Sequence, residues 1–147
     1  MRLAAVDVGS NTVHALVADV VRGRLEDVAH YVEMPELGPQ VARTGSIGSR
    51  ARPALRALRA VVEQARSHGF DALIAGATQA VRQAADGRAF VREASQLIGV
   101  PVHVLSPEKE AELGFLGVAS RHAGRRDWVM VDLGGASTEV VVARGRD

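Results

Sequence analysis

Two short stretches carry the residue types that handle phosphate. The first is Val6-Asp7-Val8-Gly9-Ser10-Asn11-Thr12, followed by apolar Val13. The second is Val131-Asp132-Leu133-Gly134-Gly135-Ala136-Ser137-Thr138, followed by Glu139 and three valines. Each reads as a hydrophobic strand ending in Asp-x-Gly, then a small hydroxyl-rich turn, then another apolar strand. Gly9, Gly134 and Gly135 let the backbone adopt conformations other residues avoid, and let a ligand come close. Successive turn N–H groups can then form an anion-binding concavity. Ser10, Asn11, Thr12, Ser137 and Thr138 add side-chain donors with little bulk. Asp7 and Asp132 cannot bind phosphate directly, since both partners are anionic. They can hold a divalent cation, or one of its waters, that the phosphate also touches, and Glu139 is a third candidate for that duty. One such turn is commonplace. Two in one short chain can grip a phosphate chain from opposite sides.

Such turns need strands on either side. Residues 3–8, 13–21 and 25–34 read as three strands with tight connections, an antiparallel meander. Residues 35–49 hold three glycines and two prolines and read as irregular. Pro53 opens a helix to about residue 66, with Leu55, Leu58, Val62 and Ala65 on one face, and Gly69 ends it. Residues 72–77 are a short apolar strand. A helix over 86–98 is stopped by Gly99 and Pro101, and 102–105 is another strand. Ser106-Pro107 is a good cap and first residue for a helix running to about residue 121. Residues 128–133 and 138–143 form the last two strands. An opening meander followed by alternating helices and strands predicts an α/β domain with a mixed sheet.

The two turns, together with Ala77-Thr78-Gln79-Ala80-Val81-Arg82-Gln83-Ala84 and Leu105-Ser106-Pro107-Glu108-Lys109-Glu110-Ala111, resemble the exopolyphosphatase and guanosine pentaphosphate phosphohydrolase family. The four segments stand in that family's order and at about its spacing, so the resemblance covers nearly the whole chain. It implies a ribonuclease-H-like, actin-like fold. Residues 1–125 would be the first actin-like domain, and 126–147 the first hairpin of a second. It also implies a phosphoanhydride hydrolase using Mg2+ or Mn2+, with polyphosphate or guanosine pentaphosphate as substrate. Sugar kinases and actins share the turns but not the two middle segments. Ala136 and Pro107 stand where the family usually has glycine. A non-catalytic phosphate-binding module and an actin-like kinase or ATPase fragment are the other readings.

Four side chains stand out individually. Counted from Ser106 as cap, Glu110 shares a helix face with Leu113, Gly114 and Gly117, and the glycines leave clearance beside it. The resemblance assigns Glu110 as the base that orients and deprotonates the attacking water. Glu108 is the plainer first-turn acid that complements the helix dipole. Arg82 could be an ordinary surface residue, but the resemblance makes it a phosphate clamp, binding bidentately and neutralising transition-state charge. His14 reads as a packing or hydrogen-bonding residue beside the first turn.

Composition bounds the rest. The chain has 147 residues, with 47% apolar and 24% charged, an ordinary globular balance. No apolar stretch is long enough to span a bilayer, no signal pattern precedes Leu3, and there is no cysteine, which favours a cytoplasmic protein. Net charge is +1, carried by 17 arginines and the single Lys109. Arg43, Arg50, Arg52, Arg56, Arg59 and Arg66 cluster about one helix, as a solvated face or a landing strip for a polyanion. Aromatics at 3% argue against nucleic acid, because stacking platforms are scarce. The closing hairpin is expected to have little to pack on, and so to dimerise, aggregate or move.

Overall fold

A computed structural model describes residues 1–122 and 127–144. The three opening strands form as the alternation requires: β1 (Arg2–Val8), β2 (Val13–Val21) and β3 (Arg24–Glu33), all antiparallel neighbours. β4 (Ala72–Ala77) and β5 (Val102–Val104) add in parallel beside β1, giving a five-stranded mixed sheet of order β3-β2-β1-β4-β5. A parallel neighbour requires a crossover, and the helices α2 (Ala51–Arg66) and α4 (Gly87–Ile98) supply it.

The period-two pattern decides which face is the core. Ala4, Val6 and Val8 of β1 face the same way as Val13, Ala15 and Val17 of β2 and Ala75 and Ala77 of β4, and all are buried. Against them pack Leu58, Val61 and Val62 of α2 and Phe90, Ala94 and Ile98 of α4, one continuous cluster. Asp7 is out of phase with its buried neighbours, so it projects from the opposite face at the end of β1.

The sequence predicts irregular structure over residues 35–49, and this is corrected by the fold. They contain α1 (Leu37–Thr44) and a single 3-10 turn at Gly48–Arg50. Pro39 is tolerated because it lies in the first turn of α1, where a backbone N–H has no intrahelical partner. Gly45 closes the helix at φ 72°, with its N–H donating to Val41 O at 2.7 Å.

The short helix α3 (Gln79–Gln83) follows β4, and α5 (Pro107–Ala119) follows β5. Ser106 caps α5 as expected: its hydroxyl accepts from the Lys109 N–H at 3.2 Å. β6 (Asp127–Leu133) and β7 (Thr138–Arg144) make a separate antiparallel pair. One face of this hairpin does find packing. Met130 is buried, and Trp128 stacks edge-on against Phe115 of α5 at 6.1 Å. The other face, with Val129, Val131, Leu133, Val140 and Val142, is exposed. The domain boundary expected at 125/126 falls outside the described residues. No described helix is long and apolar enough to cross a membrane.

Candidate active site

The two Asp-x-Gly turns are built alike. In the first, the Gly9 N–H donates to Thr12 O at 2.9 Å; in the second, the Gly134 N–H donates to Ser137 O at 2.9 Å. A Cβ on Gly9 would lie 3.1 Å from Thr12 O, and one on Gly134 would lie 3.2 Å from Ser137 O. Both turns therefore close tightly on an acceptor three residues on, and both want glycine at the same place. They also meet. A Cβ on Gly135 would stand 2.5 Å from Asn11 Nδ2, so the second turn rests its bare backbone on a side chain of the first.

The first turn is braced from behind by the segment that reads as irregular in sequence. The Glu36 N–H donates to Asn11 O at 3.0 Å, and the Gly38 N–H to Ser10 O at 2.6 Å. Glu36 takes a left-handed conformation at φ 56°, an uncommon one for glutamate, to make that contact. A Cβ on Gly38 would sit 3.0 Å from Ser10 Cβ, so glycine is needed for the close approach. Ser10 is consequently only 6% exposed, which leaves little of its side chain to a ligand. This bracing has no sequence signal beyond Leu37-Gly38-Pro39, which reads as a break.

Thr12 carries a second support. Its hydroxyl lies 2.8 Å from His14 Nε2, and His14 Nδ1 lies 3.3 Å from His30 Nε2. His14 is thus a hydrogen-bonding residue, as its position suggests. Burial, then the neighbouring His30, lowers its pKa.

Arg82 and Glu110 come together from elements 28 residues apart. Arg82 Nη1 donates to Glu110 Oε2 at 3.0 Å and to Leu105 O at 2.5 Å, while Nη2 donates to Gln79 Oε1 at 2.5 Å. Both charged side chains are 19% exposed. A guanidinium has five N–H donors, so two remain for an incoming anion. Leu105 and Gln79 are site residues that pattern reading missed: a backbone carbonyl and a neutral amide carry no catalytic signature. Glu108 stays at the surface, its carboxyl held below the usual range by its own backbone N–H, then by the Ser106 hydroxyl.

Carboxylates converge around Asp7. Its pKa rises to about 6, first through desolvation, then through the charges of Glu110 and Asp132. Its surface is open to water, so the desolvation comes from protein packed around the carboxyl rather than from exclusion of solvent. Asp132 lies beside Gly114 of α5: a Cβ there would be 3.6 Å from Asp132 Oδ2. That is the clearance expected on the Glu110 face, whereas Gly117 faces open space. Glu139 pairs with Asp132 across the β6–β7 ladder. Among the described residues, no three His, Cys, Asp or Glu side chains form a group that could itself hold a metal ion. The like-charge crowding at Asp7 nonetheless suits a hard divalent cation, which relieves repulsion between carboxylate oxygens.

An α/β domain with paired Asp-x-Gly turns and a mixed five-stranded sheet has the actin-like fold. The chain matches the Ppx/GppA phosphatase family over residues 16–147, and it belongs to that family. The Ppx/GppA enzyme of Aquifex aeolicus superposes with a TM-score of 0.86 at 29% identity, covering 99% of this chain and 49% of that one. An exopolyphosphatase from Cytophaga hutchinsonii gives 0.88 at 25%, over 100% and 48%. An exopolyphosphatase-like protein gives 0.88 at 30%, over 96% and 44%. The ethanolamine utilization protein EutJ from Carboxydothermus hydrogenoformans shares the fold alone, at 0.57 and 15%. The chain spans about half the length of the solved structures it matches.

Proposed function

We propose that this chain supplies the phosphate-gripping wall of a hydrolase that removes the terminal phosphate from inorganic polyphosphate or guanosine pentaphosphate. The observation that carries this reading is the Glu110–Arg82 pair standing beside Asp7 and the two turns. Gly9, Asn11 and Thr12 would hold one side of the phosphate chain, and Gly134, Gly135, Ser137 and Thr138 the other, with Ser10 contributing mainly through the shape of its turn. Glu110 would accept a proton from the water attacking the terminal phosphorus. Arg82 keeps that carboxylate in place, and its two remaining N–H groups would serve the phosphate, where charge builds. Asp7 and Asp132 would hold Mg2+ or Mn2+, with Glu139 in reserve; bound there, the cation would neutralise phosphate charge. With two or three carboxylates and no ready-made cage among the described residues, phosphate oxygens and water would complete its shell. A second lobe would cover the exposed apolar face of the β6–β7 hairpin and close the cleft.

The test is phosphate release from long-chain polyphosphate and from guanosine pentaphosphate, each with and without Mg2+ or Mn2+, using this chain and a two-lobed form. Release that needs the cation and the Glu110 carboxylate is the expected result. Tight phosphate-chain binding without any release would instead identify a binding module. Transfer of phosphate to an added hydroxyl acceptor would identify a kinase.

A further inference from the structure

A trough of about 510 Å³ runs between α2 and α4, on the helical side of the sheet and so on the face opposite the Asp7 recess. Its volume is that of a small-molecule site. One wall is a single stripe of α2: Arg52, Arg56 and Arg59, at i, i+4 and i+7. At 1.5 Å per residue the stripe is about 10 Å long. The floor is apolar, made by Leu55 and Leu97. The facing wall offers Glu93 and Gln96, one turn apart on α4.

The arginines are not spent on neighbouring acids. Among the described residues, Arg52, Arg56 and Arg59 form no ion pair or side-chain hydrogen bond, although Glu93 lines the same trough and Glu63 follows Arg59 by one turn. Three cations held along one line, with one carboxylate across from them, leave a net positive trough. A bare phosphate chain would use only the arginines and would be repelled by Glu93. A nucleotide uses all three surfaces: its phosphates lie along the arginines, its base covers Leu55 and Leu97, and the base edge meets Glu93 and Gln96. A carboxylate only accepts hydrogen bonds. Guanine offers it two adjacent N–H donors, whereas adenine offers one donor beside an acceptor.

We propose that the α2–α4 trough is a guanine nucleotide site, separate from the cleft, with Arg52, Arg56 and Arg59 on the phosphates and Glu93 on the base. It does not depend on the hydrolase reading, since none of its residues touches the Asp-x-Gly turns.

The test is isothermal titration of the chain with GDP, ADP and pyrophosphate at low salt without divalent cation. One GDP is expected to bind, about tenfold more tightly than ADP or pyrophosphate. Arg56→Ala and Arg59→Ala should each weaken GDP about tenfold, the loss of a charge-assisted contact. Glu93→Gln should erase the preference for GDP over ADP. Arg82→Ala, in the cleft, should leave GDP binding unchanged. All three arginines are exposed on the helix surface, so thermal melts should match the parent chain. Equal binding of pyrophosphate and GDP would reduce the trough to a plain anion patch and overturn the proposal. So would no GDP binding, or loss of it in Arg82→Ala. Failure of phosphate release with GDP binding intact would count against the hydrolase alone.

Discussion

The bare backbone of Gly135 lies against the Asn11 amide: a Cβ there would fall 2.5 Å from Asn11 Nδ2 and 2.6 Å from Asn11 Cγ, so a side chain at 135 requires that amide to swing aside or the turns to part. With the amide held in place, this contact sets how closely the two turns approach, and hence the width of the space a phosphate chain would enter. Gly135→Ala should therefore push the turns apart and weaken tripolyphosphate binding. Asn11→Gly removes the obstacle, so the double variant should recover part of the loss beyond additivity. Coupling of about 0.5–3 kcal/mol is expected for directly touching positions. Calorimetry on the two single variants and the double variant measures it, and simple additivity would show that the contact does not set the width.

Glu110→Gln keeps the shape and most hydrogen bonds of the site but removes a base. Turnover by the two-lobed protein should drop about 10²–10⁴-fold, the usual contribution of general base catalysis, with substrate affinity little changed. Arg82→Ala should lower kcat and raise KM together, because it releases Glu110 and also removes a cation the ground state feels. Glu108→Gln should be nearly silent. If Glu108→Gln is inactive and Glu110→Gln is not, the roles of the two carboxylates are reversed.

Asp7 should make the free chain less stable as pH rises. Its folded pKa of about 6 lies above the ordinary 3.8. The native state therefore holds more protons than the unfolded chain between those values. Stability then falls with increasing pH through that window and levels off above it. Asp7→Asn abolishes the dependence and should raise the urea midpoint at pH 7 while lowering it little at pH 4. A wild-type midpoint that does not fall between pH 4 and pH 6, relative to Asp7→Asn, would contradict the crowding described at this site.

Cation binding should depend on phosphate. Asp7 and Asp132 give a divalent ion few ligands of their own, and no three-carboxylate group is assembled among the described residues. Mg2+ alone should bind weakly, and tripolyphosphate should strengthen it. Titration showing tight Mg2+ binding without phosphate would count against this.

Gly87 opens α4 against α3, and a Cβ there would collide with the Val81 carbonyl oxygen. In a free helix, Gly→Ala is favourable by about 1 kcal/mol. Here the obstacle is backbone and cannot swing aside, so Gly87→Ala should destabilise instead, by about 1–3 kcal/mol. The Asp86 carboxylate just before it accepts from the Ile47 and Gly48 N–H groups at 2.8 and 2.9 Å, so displacement of this corner would also disturb the start of α2. Urea unfolding of Gly87→Ala decides the sign; a gain in stability would mean the corner yields easily.

The chain's own pattern was enough for the three-strand meander, the α/β class, the helix caps at Ser106 and Gly99, and the two Asp-x-Gly turns. Each of these is encoded locally: a period of two or 3.6, a cap residue, a glycine where backbone must come close. The family resemblance singled out Arg82 and Glu110, but not that they touch, nor that Gln79 and the Leu105 carbonyl hold the guanidinium between them. Helix α1 was hidden because Gly38 and Pro39 look like breakers when read in isolation. In the folded chain, Gly38 is small because Ser10 lies against it, and Pro39 occupies a first-turn position that needs no donor. The rise in the Asp7 pKa has no trace in the sequence around it, since it comes from desolvation by the protein packed around it and from charges 103 and 125 residues away. Local rules settle most of the elements, with α1 the exception. Which side chains share a recess is decided only when β1, α5 and the β6–β7 hairpin are brought together, because long-range electrostatics and close backbone approach depend on distances that no short window contains.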